Sequence, residues 1–341
     1  MNRSTLANPE SDAIIAGMMQ KDVAPGLTRR DLGKGLAAAG IVTLAGCAGA
    51  EPEPQAEAPV DDDVVIVDPH VHMWKNDPKY PWPESMRKPP EEDALPEPLL
   101  ALMEQNGVAH TIFVHVIHYL WDCTYAAAVC KQYPDKFTGV CRVNPESMTA
   151  ADDLSKWVEE YGFRGVRLSP ANNERGDWIN NAELMDPIWK RTSELKVPML
   201  ILTGTSRLPD VSKWIEKYPD IKISIDHMAS CPIDAPEELK KLTDLAKFPE
   251  VYVKISHTWR YTKGEYPFRD TWDQVKALYD VYGPDRLMWG SDWPAVENFC
   301  GYSKALALTR DEMDFLNKED KRWILGGTAQ RLWPLPPGAV G

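Results

Sequence analysis

Two histidines separated by one residue, His70 and His72, lie where an apolar stretch gives way to polar residues. Residues two apart in a β-strand project from the same face, so the two imidazoles are expected to point together, with Asp68 beside them. Pro69 lacks a backbone donor and is expected to loosen the strand at this point. Paired imidazoles at a strand end are typical of half a divalent-metal site or of acid–base chemistry.

The elements that would position these side chains repeat along the chain. Eight short apolar runs alternate with helix-like segments such as 152–162 and 185–196, in which apolar residues recur at helical spacing. Strands that alternate with helices imply a parallel sheet, and eight such units in about 270 residues predict a (β/α)8 TIM barrel. A doubly wound open sheet fits less well, because no glycine-rich phosphate loop follows the first run. The predicted strands are residues 64–70, 110–116, 137–143, 163–169, 197–203, 221–227, 251–257 and 285–292.

The carboxyl ends of the strands hold the active site in such barrels, so the residues that end each run are the candidates. His227 ends the sixth run, and Asp292 ends the eighth, which neighbours the first in a closed barrel. Asp292 is expected to orient or deprotonate a water, and His227 to polarise a carbonyl or stabilise an oxyanion. If one divalent ion binds, with zinc the favoured metal, its predicted ligands are His70, His72 and Asp292, completed by His115 or His227.

Four further residues are candidates for binding substrate. Arg167 follows the fourth run and suits a bidentate contact with a carboxylate, although an ion pair inside the barrel is the alternative. Arg260 lies on the loop after the seventh run, where an exposed surface arginine is the alternative. His115 lies on the second run, and Trp74 is one of several strand-end aromatic residues that predict an aromatic-walled pocket.

The seventh run carries two other ionisable residues. Lys254 lies in the middle of the run and is expected to point into the barrel and pair with an acid. His257 is out of phase with Lys254 and Ser256 along the run, so strand alternation places it on the opposite face. The pattern therefore leaves His257 outside the predicted site.

The N-terminal residues have the composition of an export signal. The pair Arg29-Arg30 precedes a short apolar run and the small-residue motif Leu44–Cys47. The run is shorter than the roughly 20 residues that span a bilayer. These parts resemble a twin-arginine lipoprotein signal, which predicts export to the periplasmic side of a bacterial membrane with a lipid anchor at Cys47. The chain then divides into a signal peptide at 1–46, a flexible acidic and proline-rich tether at 47–63, and the barrel at 64–341.

Charge and cysteine spacing exclude some classes of function. The formal net charge is -13, which argues against a nucleic-acid-binding protein but not against a local basic pocket for a small anion. The six cysteines include no CxxC pair, so a zinc–thiolate site is not expected. The expected partner is a small-molecule substrate, and the only expected contact with a membrane is the lipid anchor.

Six motifs spread over nearly all of residues 64–334 carry a resemblance to a known family: "DPHVHMW" at 68–74, "GFRGVRL" at 162–168, "IDHMA" at 225–229, "VYVKIS" at 251–256, "GPDRLMWGSDWP" at 283–294 and "ILGGTAQRLW" at 324–333. With them, the sequence resembles the amidohydrolase superfamily, in the amidohydrolase-related branch of L-fuconolactonase-like and 2-pyrone-4,6-dicarboxylate lactonase-like hydrolases. The resemblance implies that the reactive centre consists of His70, His72, His227 and Asp292. Many metal-binding members supply another histidine from the fifth strand, whereas this chain reads "MLILTG" there, and some lactonases of this branch work without metal.

The resemblance and the residues together predict a hydrolase that opens a small cyclic ester, a lactone bearing hydroxyls or carboxylates. Asp292 is expected to act as the base towards water, with the histidines polarising the carbonyl, with or without a metal. Two alternatives remain open. One is a metal-dependent decarboxylase of an aromatic acid, and the other is a non-catalytic, lipid-anchored protein that binds a small acid.

Overall fold

A computed structural model describes residues 64–86, 89–169 and 178–339 of the chain. The predicted signal peptide at 1–46 and the predicted tether at 47–63 lie outside the described residues. Within the described ranges, no helix is both long enough and apolar enough to cross a membrane.

Eight parallel strands form the centre of the fold, and each strand pairs with the next one along the chain. Their bounds are β1 Ile66–Val71, β2 Val108–Val114, β3 Phe137–Arg142, β4 Val166–Leu168, β5 Met199–Ile201, β6 Ile223–Ile225, β7 Val251–Lys254 and β8 Leu287–Met288.

The last strand returns to the first and nearly closes the sheet into a barrel. Trp293 forms a parallel bridge with Val71. The backbone N–H of Asp292 donates to the carbonyl of His70 at 2.9 Å, and the N–H of His72 donates to the carbonyl of Trp293 at 2.7 Å. The arrangement is that of a (β/α)8 barrel, as the alternation of strands and helices predicts.

Helices follow the strands and cover the barrel. In the helix Ala150–Glu159, buried Leu154, Trp157 and Val158 recur at helical spacing and face the core. The helix Ala182–Leu195 begins at Asn181, whose side chain accepts a hydrogen bond from the N–H of Glu183. The α-helices are α1 Pro96–Asn106, α2 Thr124–Gln132, α3 Ala150–Glu159, α4 Ala182–Leu195, α5 Leu208–Lys217, α6 Pro236–Thr243, α7 Thr258–Tyr261, α8 Trp272–Tyr282, α9 Tyr302–Ala307, α10 Lys318–Arg322 and α11 Thr328–Leu332.

Several strands are shorter than their apolar runs predict. The run 163–169 contributes only Val166–Leu168, and the run 285–292 contributes only Leu287–Met288. Hydrophobic residues beyond the paired segment are buried although they form no strand pairing. A strand length predicted from an apolar run alone is therefore too long. The expected loosening at Pro69 is confirmed, because the register of β1 on β2 shifts between Asp68 and Val71.

The C-terminal helix packs beneath the amino ends of the strands. Ala329 and Leu332 of α11 share a buried cluster with Trp333 and with residues of several strands. The indole of Trp333 donates to the carbonyl of Arg164, which precedes β4, at 2.9 Å. With this end covered, the opposite, carboxyl end of the barrel is where the functional side chains gather. The five described cysteines are free thiols.

Candidate active site

The predicted strand-end residues converge at the carboxyl end of the barrel. The Nε2 atom of His70 lies 3.2 Å from Nε2 of His72 and 3.6 Å from Oδ1 of Asp292. The Nε2 atom of His72 lies 3.3 Å from the same carboxylate oxygen. The ring of His227 lies 4.5 Å from that of His70, measured between centroids. The structure therefore brings all four residues into one cluster, in which His72 is partly exposed and the other three are buried.

The backbone turns sharply where three of the neighbouring strands end. His227 after β6, His257 after β7 and Asp292 after β8 have φ of 51°, 70° and 54°. Such left-handed conformations cost non-glycine residues about 1–3 kcal/mol each and persist only where the surroundings hold them. Here they turn three side chains back over the barrel mouth.

His257 belongs to this cluster, and its exclusion by strand alternation was wrong. Its Nε2 lies 2.6 Å from Oδ2 of Asp292, and its ring stacks on that of His227 at 3.5 Å with an interplanar angle of 4°. The alternation fails because β7 ends at Lys254, three residues earlier, and His257 has turned into the left-handed region. His257 could have been identified as a site residue because, like Asp292 after β8, it is a polar residue a few positions past the end of a paired strand.

Asp226, which had no predicted role, binds the two cationic side chains beneath the histidines. Its Oδ2 pairs with Nε of Arg167 at 2.8 Å, and its Oδ1 pairs with Nζ of Lys254 at 2.9 Å. The expected pairing of Lys254 with an acid inside the barrel is thus confirmed. Lys254 also lies 2.9 Å from Nδ1 of His70. Arg167 is 4% exposed, with Nη2 3.5 Å from Nε2 of His70.

The other predicted substrate-binding residues lie around the cluster. His115 is buried, and its Nε2 lies 3.2 Å from the carbonyl of Leu120. Trp74 donates its indole N–H to the carbonyl of Glu92 and packs edge-on against His118. Arg260, half-buried in α7, lies 5.8 Å from the ring centroid of Phe299.

The surroundings give the carboxylate and the imidazoles distinct protonation states. Burial raises the pKa of Asp292, but its interactions with His257, then with His227 and His72, outweigh burial and hold this pKa well below its usual range. Burial lowers the pKa of His72 to about 4 and the pKa of His70 well below its usual value. Near neutral pH the centre therefore holds an ionised Asp292 beside neutral His70 and His72, so that the carboxylate can accept a proton and the imidazoles are not cations.

The donor atoms of the cluster fit a divalent metal by distance. Ligands about 2.0–2.2 Å from a tetrahedral zinc are separated from each other by about 3.3–3.6 Å. The three separations among His70, His72 and Asp292 are 3.2, 3.3 and 3.6 Å. Two overlapping sets of potential ligands lie alongside: one combines His70, Asp226 and His227, and the other combines His227, His257 and Asp292.

Comparison with known proteins places this cluster in a family. The amidohydrolase family model matches residues 67–335. An L-fucono-1,5-lactonase from Burkholderia ambifaria is 26% identical over 272 residues, which cover 77% of this chain and 93% of that protein. A 4-sulfomuconolactone hydrolase from Hydrogenophaga intermedia is 24% identical over 277 residues, covering 78% and 88%.

A solved structure has the same fold. An amidohydrolase from Burkholderia multivorans with bound zinc superposes with a TM-score of 0.66 at 21% identity, covering 80% of this chain and 100% of that one. The family match spans most of the chain and includes every member of the His/Asp cluster. The chain therefore belongs to the amidohydrolase family.

Proposed function

We propose that this protein hydrolyses the ester bond of a small lactone. The observation that carries the proposal is an ionised, buried Asp292, oriented by His257 on one oxygen and facing His70 and His72 with the other. That is the arrangement a general base needs beside carbonyl-polarising groups. Both sequence relatives described above are named as enzymes acting on lactones, which supports the same substrate class here.

The proposed reaction moves one proton through Asp292. The carboxylate takes a proton from water as the water oxygen attacks the lactone carbonyl. His70, His72 and His227 surround the space in which the carbonyl oxygen gains negative charge, and an N–H from this group stabilises it. The tetrahedral intermediate then collapses, the ring C–O bond breaks, and the departing alkoxide takes the proton from Asp292. The product is a hydroxy acid.

Four residues are proposed to hold the rest of the substrate. Nε of Arg167 pairs with Asp226, and its Nη2 faces the cluster. Arg167 is proposed to bind a carboxylate or hydroxyl of the substrate on that side. Arg260 in α7 is proposed to bind an anionic group on the substrate at the barrel mouth. Trp74 and His115 are proposed to form part of the pocket wall.

A single divalent ion, with zinc favoured, would be held by His70, His72 and Asp292. When bound, the ion would supply Lewis-acid polarisation of the carbonyl. The separations of the three donor atoms fit such an ion, while its affinity also depends on which ring nitrogen of His70 carries the proton.

Two substrate panels test the proposed activity on the full chain. We expect acid release from sugar-acid lactones or carboxylated lactones, followed by pH-indicator absorbance. An aromatic-acid panel monitored by CO2 release tests the alternative decarboxylase. Turnover of aromatic acids without any lactone hydrolysis would overturn the proposal. Ligand-induced thermal stabilisation without turnover in either panel would favour the binding protein instead.

We also propose that the protein is exported and anchored through a lipid on Cys47. The order of Arg29-Arg30, an apolar run and a cysteine after small residues supports this. Fractionation of the native host should place the protein in the membrane fraction, released by detergent, and Cys47→Ala should accumulate as unlipidated precursor. Recovery of the wild-type protein in the cytosol with Met1 intact would contradict the proposal.

A further inference from the structure

The hydrogen bonds around His70 determine which of its ring nitrogens carries the proton. Lys254 is completely buried, and its ammonium lies 2.9 Å from Oδ1 of Asp226 and 2.9 Å from Nδ1 of His70. An ammonium group has three donors and no acceptor, so Nδ1 of His70 must accept this hydrogen bond. A neutral imidazole has one acceptor nitrogen and one N–H. The proton of His70 therefore sits on Nε2, the atom that faces the reaction centre.

His72 has the opposite tautomer. Its Nδ1 lies 2.7 Å from the carbonyl oxygen of Val114, which can only accept a hydrogen bond. Nδ1 of His72 is therefore the donor, and its Nε2 keeps the lone pair. The 3.2 Å contact between the two Nε2 atoms then becomes a hydrogen bond from His70 to His72. Each group therefore donates to the next: Lys254 to His70, His70 to His72, and His72 to the carbonyl of Val114.

The contact with Arg167 does not change this assignment. Its Nη2 lies 3.5 Å from Nε2 of His70, at the limit of a hydrogen bond, whereas Lys254 approaches Nδ1 to 2.9 Å. A neutral imidazole has one acceptor nitrogen, so it cannot accept hydrogen bonds from both cations. The shorter contact indicates that Lys254 is the donor and Nδ1 of His70 the acceptor.

A metal-bound histidine normally has the reverse polarity. It coordinates through a lone pair, and its other nitrogen donates to a carboxylate or carbonyl. His72 meets this requirement through Val114, but His70 does not, because Lys254 occupies its Nδ1 with a donor. The carboxylate that would suit a metal-bound His70 is already in place, since Oδ1 of Asp226 lies 3.6 Å from the same Nδ1.

We propose that Lys254 is a positioning residue that holds His70 as the Nε2–H tautomer, so that His70 donates to the substrate carbonyl and the centre binds divalent metal weakly. The donor role of His70 rests on the proposed lactone hydrolysis. The tautomer and the metal affinity do not, and both can be measured without any turnover.

Zinc binding to the metal-stripped full chain tests the proposal through three variants. In Lys254→Met, Nδ1–H of His70 can donate to Asp226 and free Nε2, so the Kd for zinc should fall by about 10–100-fold in competition with a chromophoric chelator. Lys254→Arg retains only donors and should bind zinc like the wild type. Lys222→Met makes the same chemical change at the amino end of β6, where Nζ bonds the carbonyl of Arg331, and should have no effect.

The tautomer itself can be read in the wild-type protein, whether or not the variants fold. In the metal-free full chain labelled with ¹⁵N-histidine, long-range ¹H–¹⁵N spectra should show His70 protonated at Nε2 and His72 at Nδ1, with signals assigned by His70→Gln and His72→Gln. A His70 protonated at Nδ1 in the wild type would overturn the proposal. So would a zinc affinity that is unchanged in Lys254→Met, or one that rises equally in Lys254→Met and Lys254→Arg.

Discussion

At the scale of single residues, Asp292 is held differently at its two oxygens. Oδ2 accepts a 2.6 Å hydrogen bond from His257, while Oδ1 faces His72 and His70 at 3.3 and 3.6 Å. One oxygen is therefore fixed in direction, and the other is directed at the space between the imidazoles. A base whose orientation is fixed by a partner loses less entropy in reaching the geometry of proton transfer.

His257 is predicted to act by orienting this carboxylate. His257→Gln should lower kcat for lactone hydrolysis by about 10–100-fold, with a smaller change in KM, because the substrate contacts remain. Steady-state kinetics on the full chain measure this. His110→Gln is the matched control, since His110 is equally buried but bonds Thr138 and the carbonyl of Asp135. Equal loss of activity in both variants would argue against an orienting role.

The sequence revealed only part of this centre. His70, His72 and Asp292 were predictable because each ends an apolar run, and the closure of the barrel brings the first and last runs together. His257 was not predictable in this way, because the alternation of side chains between the two faces of a strand no longer applies after β7 ends at Lys254. The ion pairs of Asp226 join residues 59 and 28 positions apart, and no local pattern specifies them.

At the scale of secondary structure elements, the join between β1 and the end of β8 positions the catalytic groups. Asp68 does not project into the His/Asp cluster, contrary to the expectation from strand alternation. Its carboxylate instead accepts hydrogen bonds from the N–H and the hydroxyl of Ser291 and from the N–H of His70. The hydroxyl of Ser291 in turn accepts from the N–H of Trp293 at 3.0 Å. This small network joins β1, which carries His70 and leads to His72, to the segment after β8 that carries Asp292.

Removing the hydroxyl of Ser291 should weaken that join. Ser291→Ala removes the hydroxyl that donates to buried Asp68 and should lower the free energy of unfolding by about 1–3 kcal/mol. Ser224→Ala on β6 is the matched control, because its buried hydroxyl has no hydrogen-bond partner, and it should change stability by less than about 0.5 kcal/mol. Urea unfolding measures both, and an equal loss in the two variants would refute the role of the network.

The bounds of the elements were less predictable than their order. Lys196 ends α4 in a left-handed conformation at φ 53°, although glycine is the usual residue there. The paired part of β8 is two residues long, yet its apolar run is eight. Pairing in a barrel depends on the tilt and register of neighbouring strands, which a single run of residues does not encode.

At the scale of the whole molecule, burial of neutral histidines ties stability to pH. Burial lowers the pKa of His115 to about 3 and the pKa of His118 to about 4, whereas an unfolded histidine titrates near 6.5. Below pH 6.5 the unfolded chain binds protons that the folded chain does not, so acidification favours unfolding. Asp68 acts in the opposite direction, because burial raises its pKa to about 6 and its contribution is lost as pH rises from about 4 to 6.

The free energy of unfolding should therefore fall between pH 7 and pH 5. Each of the two histidines should contribute up to about 2 kcal/mol to this fall. Urea unfolding at the two pH values measures it, and His115→Asn and His118→Asn should each lose less stability than the wild type over the same interval. Variants with the wild-type pH dependence would show that these imidazoles are not the groups that titrate.

The order of the eight strands was predictable across the molecule, because apolar runs and helical segments alternate throughout residues 64–334. The substrate is not encoded in that alternation, since the loops at the barrel mouth determine which molecule fits.

The turnover of Asp292→Asn on a lactone that the wild type hydrolyses is the most direct test of the account. The substitution is nearly isosteric and removes the base, so kcat should fall by at least about 100-fold while circular dichroism and the unfolding midpoint stay close to those of the wild type. An Asp292→Asn protein that folds normally and keeps the wild-type kcat would contradict the assignment of Asp292 as the catalytic base.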